Sequence, residues 1–118
     1  MNILYIENHA IFAESVKKHF LSPHLVTVVP SLSAARQAIL KGAYELLLVD
    51  YDLDDGKGDE LVRELRASGS QALIIGVSSH NEGNTALIKA GANAVCSKTE
   101  FDDIQHIIGS ITHDKHIK

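Results

Sequence analysis

The chain has one cysteine in 118 residues, no surplus of basic residues and no apolar run long enough to cross a bilayer. The lone Cys96 excludes an internal disulfide framework and any cysteine-based zinc site, and it fits a reducing compartment. Lys and Arg number 11 against 15 Asp and Glu, a net charge of −4, which turns attention away from direct nucleic-acid binding. The N-terminus lacks the basic n-region of a signal peptide. What is present is ordinary for one globular domain. With 45% hydrophobic and 22% charged residues, the chain can bury a core without staples, and its length leaves no room for a second domain. These bounds describe a small, acidic, soluble domain with no membrane partner, expected in the cytoplasm.

Two periods alternate along the sequence. Short apolar runs occur at Ile3-Leu4-Tyr5-Ile6, Leu25 to Val29, Leu46-Leu47-Leu48-Val49, Ala72 to Val77 and Ala94-Val95-Cys96. They are nearly unbroken and bounded by polar, Gly or Pro residues, as strands buried on both faces of a parallel sheet are. Helical patterns lie between them. Residues 10–20 and 31–41 form two, the second opened by Ser31 after Pro30. In the next, Asp59 and Glu60 load the N-terminus, Leu61, Val62 and Leu65 form an apolar face, and Gly69 can stop the helix. The segment 82–90 is weakened as a helix by Gly83 and Asn84 in its first turn. Ile104, Ile107, Ile108 and Ile111 make the last stripe, with Thr99 and Asp102 resembling a capping box. Five β-α units in succession imply right-handed crossovers onto one sheet with helices on both faces. The domain is expected to span 1–112, with 113–118 a polar, frayed tail.

In such folds the functional crevice lies beyond the carboxyl ends of the strands. The first run ends in Glu7-Asn8-His9, the third in Asp50 followed by Tyr51 to Gly56, the fourth in Ser78-Ser79-His80, and the fifth in Ser97-Lys98-Thr99. A carboxylate nucleophile, an acidic cation-binding cluster, a hydroxyl and an ammonium on one edge suit the handling of a phosphoryl group.

Those residues carry a resemblance over essentially the whole chain. Tyr5 to Phe12, Leu48 to Leu53 with Gly58, Val77-Ser78-Ser79, Lys89-Ala90-Gly91-Ala92 and Lys98 resemble, in order and spacing, the receiver domains of two-component response regulators. The resemblance implies a doubly wound, flavodoxin-like α/β fold with a five-stranded parallel sheet in the order 2-1-3-4-5. It makes Asp50 the phosphoacceptor, served by a histidine kinase or phosphotransfer protein, with Ser78 and Lys98 contacting the phosphoryl oxygens. It implies Mg²⁺ held by Asp50, Glu7 and the backbone carbonyl of Asp52, with Asn8 adding a neutral oxygen. The output partner is unspecified, and homodimerisation through the last two helices and their joining strand is left open. The His9–Phe12 stretch is most similar to receivers that precede a helix-turn-helix domain. None follows here, so a stand-alone or excised receiver is expected.

Four positions depart from the pattern. Asn8 stands where an acid usually ligates Mg²⁺, so cation affinity is expected to fall. Asp54 and Thr99 replace prolines, and Val95 replaces the aromatic residue of the output switch. Together they support an alternative, a degenerate receiver that binds a partner regardless of phosphorylation. Neither reading makes the chain an enzyme beyond self-phosphorylation from small donors and slow self-hydrolysis.

Other motifs fail on spacing. A calcium loop starting at Asp50 would need glycine sixth and glutamate twelfth but has Asp55 and Leu61. Asp50-Tyr51-Asp52 follows the third strand of a short chain, whereas aspartate-nucleophile phosphatases carry that motif after the first. Gly56-Lys57-Gly58 lacks the remainder of a phosphate-cradling loop. The seven histidines are scattered, which favours solvated side chains over a zinc site. Cys96, inside an apolar strand, reads as a buried, inert thiol.

Overall fold

A computed structural model describes the backbone of residues 1–116 and the side chains of 1–112. Seven strands and five helices follow in the order β1 (Asn2–Ile6), α1 (Ala10–Phe20), β2 (Leu25–Val29), α2 (Leu32–Lys41), β3 (Leu46–Asp50), β4 (Asp52–Leu53), β5 (Gly56–Lys57), α3 (Gly58–Ala67), β6 (Leu73–Ser78), α4 (Asn81–Ala90), β7 (Ala94–Ser97) and α5 (Ile104–His116). A 3₁₀ segment, Lys98–Asp103, leads into α5. The main sheet is parallel in the order β2-β1-β3-β6-β7, which is the expected 2-1-3-4-5 once the short β4-β5 hairpin is set aside. Of the expected tail, 113–116 continue the α5 backbone, and residues 117 and 118 lie outside the described residues.

The unbroken apolar runs are explained by the two faces. Successive side chains of a strand point to opposite sides. Ile3, Tyr5, Leu46 and Leu48 pack with Ala13 and Val16 of α1 and with Ile104 and Ile108 of α5. Leu4, Ile6, Leu47 and Val49 pack with Leu32, Ala35, Leu61, Val62 and Leu87 of α2, α3 and α4. Each fully buried aliphatic side chain contributes roughly 1.5–3 kcal/mol relative to exposure, so one charge in the middle of either run would break the sheet.

Local chemistry fixes the helix ends. Ser31 Oγ accepts the Ala34 N–H at 3.1 Å and caps α2 as expected. The α3 helix ends in a Schellman turn, with Ser70 N–H bonded to Leu65 O at 2.9 Å, Gly69 N–H to Arg66 O at 3.0 Å, and Gly69 at φ +87°. The Thr99/Asp102 capping box does not form. Ser97 Oγ accepts the Thr99 N–H at 3.4 Å, and the chain enters α5 through the 3₁₀ segment, which buries Phe101 against Tyr5, Phe12 and Phe20.

Arg66 closes the end of the sheet opposite the strand tips. Its guanidinium donates to Gly91 O (2.9 Å), Ser70 O (3.0 Å) and Asn93 Oδ1 (3.0 Å), and Asn93 Oδ1 also accepts the Ile74 N–H at 2.8 Å. One side chain thereby satisfies acceptors at the ends of α3 and α4 and orients the entry to β6. We expect Arg66→Ala to lower the unfolding free energy by about 1–3 kcal/mol in urea titration, with Arg66→Lys recovering only part. An unchanged midpoint would show that these loops hold without it.

Candidate functional site

The parallel register brings the five strand ends to one edge. Ile6 lies beside Val29 and Val49, Asp50 beside Val77, and Ser78 beside Ser97. The residues that follow, Glu7, Asn8 and Lys98, therefore meet Asp50 and Ser78 at the carboxyl rim.

Glu7 and Asp50 are both buried, at 1% and 3% exposure, and share one ammonium. Lys98 Nζ lies 2.7 Å from Glu7 Oε1 and 3.2 Å from Asp50 Oδ2, and 5.2 Å from the centre of the Phe12 ring. Glu7 Oε1 also accepts from the Tyr5 hydroxyl at 3.4 Å, and Oε2 accepts the His9 N–H at 3.1 Å with His9 Nδ1 at the same distance. Asp50 Oδ1 accepts the Tyr51 N–H at 2.8 Å. Two carboxylates against one lysine leave the pocket negative, and burial magnifies that imbalance. Burial first, and then Glu7, push the Asp50 carboxyl from its ordinary value of 3.8 up to about 6, against the pull of Lys98. Burial and the same carboxylates push the Tyr5 hydroxyl upward.

Asn8 and Asp52 sit differently. Asn8 Nδ2 donates to Asp54 Oδ1 at 3.0 Å, while its buried Oδ1 has no hydrogen-bond partner among the described residues. A buried, unpartnered hard oxygen beside a negative pocket fits a Mg²⁺ ion. The Asp52 side chain is exposed and paired with Lys57. Among the described residues no three His, Cys, Asp or Glu side chains converge, so an ion here would rest on two carboxylates, an amide and backbone.

Ser78, at 2% exposure, makes no hydrogen bond to Lys98 or Asp50 among the described residues; its Oγ accepts the His80 N–H at 3.1 Å and its carbonyl accepts from Asn84 Nδ2 at 3.3 Å. Two glycines allow these approaches. A Cβ on Gly58 would lie 2.0 Å from the Asp50 carbonyl oxygen, and one on Gly83 would lie 2.5 Å from Ser78 Oγ and 2.9 Å from Tyr51. Gly83, a weak point of a helix by propensity, is the position where α4 rests on Ser78.

The sequence reading also missed the β4-β5 hairpin. Asp55 accepts the N–H groups of Leu32 (2.8 Å) and Ser33 (3.0 Å) through its two carboxylate oxygens, which hold its pKa below the usual carboxylate range. Gly56, at φ +152°, packs against Leu32 and Glu60, so the acidic loop is clamped to α2. Cys96 is buried, and its thiol is pushed up to about 11, chiefly by burial, in keeping with an inert role. No described helix is long and apolar enough to cross a membrane.

The family model of the response regulator receiver domain matches residues 3–109. A CheY-like receiver domain protein of Methanospirillum hungatei superposes with a TM-score of 0.85 at 20% identity, covering 98% of this chain and 95% of that one. A response regulator of Thermotoga maritima in complex with Mg²⁺-BeF gives 0.83 at 19% identity, covering 92% and 96%. The receiver domain of a Pseudomonas aeruginosa sensor histidine kinase, with a magnesium ion coordinated in its active-site cleft, gives 0.81 at 23% identity, covering 92% and 94%. Comparison with curated proteins finds no match.

The raised Asp50 value fixes the sign of a stability effect. An acid that holds its proton more tightly folded than unfolded destabilises the fold once ionised, and the penalty fades as pH falls from about 6 to about 4. In metal-free buffer at neutral pH, Asp50→Asn should raise stability by on the order of 1–3 kcal/mol, a shift of several degrees in Tm. The gap from wild type should close at about pH 4. A variant less stable than wild type at neutral pH would contradict this.

Proposed function

The chain belongs to the response regulator receiver domain family, and on that premise we propose that it accepts a phosphoryl group on Asp50 from a histidine kinase or phosphotransfer protein and signals by a conformational shift. The observation that carries the reading is the Glu7–Lys98–Asp50 arrangement: a buried carboxylate, held by Tyr51 N–H on one oxygen and by an ammonium on the other, beside a second carboxylate.

An oxygen of Asp50 attacks phosphorus. The new P–O bond makes an acyl phosphate as the P–N bond to the donor histidine breaks, its electron pair returning to the imidazole nitrogen, which takes up a proton. Lys98 is positioned to exchange a carboxylate contact for a phosphoryl oxygen. Glu7, Asp50, the Asp52 carbonyl and Asn8 would hold a Mg²⁺ ion, which would supply charge neutralisation for the incoming phosphoryl oxygens. The pocket's single uncompensated negative charge and the free Asn8 oxygen support that ligand set, with Asn8 lowering the affinity by contributing no charge.

Signalling follows from Ser78. Turning its hydroxyl toward the phosphoryl group releases the His80 N–H, and Gly83 and Asn84, both against Ser78, carry the displacement into the first turn of α4. Val95 gives this shift no aromatic lever.

Intact mass after incubation with a small phosphodonor and Mg²⁺ tests the reading. We expect one phosphoryl adduct on wild type and none on Asp50→Asn. Ser78→Ala should abolish any phosphorylation-dependent change in partner binding. No adduct at high Mg²⁺ would refute phosphoryl acceptance and favour a constitutive binding module.

A further inference from the structure

We propose that Asp54 is the positioning residue for Asn8: its carboxylate fixes the Asn8 amide so that the Oδ1 atom, and not the NH₂ group, faces the cation site. The inference rests on the cation site proposed above and concerns how that site is built.

A side-chain amide can be turned over at little steric cost, so its orientation is decided by what it meets. An ionised carboxylate only accepts hydrogen bonds. With Asn8 Nδ2 donating to Asp54 Oδ1 at 3.0 Å, the amide has one favourable orientation. Turned over, its oxygen would face the Asp54 carboxylate, and its NH₂ group would occupy the place where Oδ1 is now buried without a partner. That place would then hold two unsatisfied donors and repel a cation. A carboxylate at position 8 would need no such guidance, since either of its oxygens can ligate.

Asp54 is itself held in place. It sits with Asp55 in the two-residue turn of the β4-β5 hairpin, where Asp52 pairs with Lys57 and Leu53 with Gly56. Asp55 ties the turn to the first turn of α2 through both carboxylate oxygens. Buried Leu53 anchors the strand from below, and Gly58 N–H donates to Tyr51 O at 2.7 Å where the hairpin closes. The exposed Asp54 side chain therefore projects from a braced turn onto Asn8, and a partner on a rigid element positions better than one on a loose loop.

The test is Mg²⁺ affinity of the metal-free protein, measured by titration calorimetry at ~0.15 M salt, where through-space effects of exposed charges are screened. Asp54→Ala should weaken binding about 10-fold, as loss of an outer partner of a metal ligand does. Asp54→Asn keeps an oxygen to accept from Asn8 and should stay within about 2-fold of wild type. In an Asn8→Asp background, Asp54→Ala should change affinity less than about 2-fold, so the two positions are coupled in the double-mutant cycle. Equal losses in Asp54→Ala and Asp54→Asn, the same loss in the Asn8→Asp background, or no Mg²⁺ binding by wild type would each overturn the proposal. If the cycle comes out as expected while no phosphoryl adduct forms on Asp50, the pairing stands and the function proposed above falls.

Discussion

Glu7 and Asp50 lie together under the surface and lean on the single ammonium of Lys98. Much of the rim is arranged around that contact. Two like charges this deep in the protein repel, and one cation offsets only part of the cost. The remaining burden falls on Tyr51 N–H, His9 N–H and the Tyr5 hydroxyl, each donating to a carboxylate oxygen. Those donors are local, each within two residues of the carboxylate it serves, but the two carboxylates and the lysine are far apart in the chain. Glu7 follows β1, Asp50 ends β3 and Lys98 follows β7, so a sheet of this order and register is needed to bring them into one pocket. The stability of the two apolar faces supports a site that is unfavourable by itself, as functional sites commonly are.

Close approach is the second constraint. The hairpin after Asp50 can fold back because Gly58 has no Cβ to strike the Asp50 carbonyl, and α4 can rest on Ser78 because Gly83 has none. Gly83 stands inside α4 and weakens it by about 0.5–1 kcal/mol, whereas Gly58 is the first residue of α3. The loss at Gly83 is explicable only by what lies against it. Gly83 places helix backbone directly on the hydroxyl proposed to move, with no intervening side chain to absorb the displacement.

The strands and the rim residues are legible because they are written in local patterns, nearly unbroken apolar runs of three to six residues, four of them followed by polar residues of recognisable chemistry, whereas the sheet order rests on the family resemblance. The hairpin is not legible. Strands of two residues have no periodicity to read, and the Asp55 cap joins it to α2 more than 20 residues earlier in the chain. The acidic stretch 50–55 invites in sequence a calcium-loop reading, which its spacing does not meet. In the fold each aspartate has its own partner: Asp50 faces Lys98, Asp52 pairs with Lys57, Asp54 holds Asn8, and Asp55 caps α2. The capping box at Thr99 and Asp102 failed for a related reason. A box at Thr99 requires the helix to begin directly after it, whereas burial of Phe101 draws residues 98–103 into a 3₁₀ segment and α5 begins only at Ile104.

The departures at Asn8 and Asp54 read in sequence as two independent losses, one of a ligand charge and one of a stiff turn. The geometry makes them one arrangement, since the amide and the carboxylate are hydrogen-bonded to each other. Stiffness that a proline would confer on the turn is supplied by the Asp55 cap and the packing of Gly56 on α2. Val95 has no such substitute nearby. It borders an open groove of about 520 Å³ between α4 and β7, lined also by Asn81, Asn84 and Ile88. A side chain of that size leaves the groove unfilled, and Ser78 meets α4 instead at the Gly83 backbone and the Asn84 side-chain amide. Those contacts tie the rim of the site to the first turn of α4 and leave the β7 face outside them.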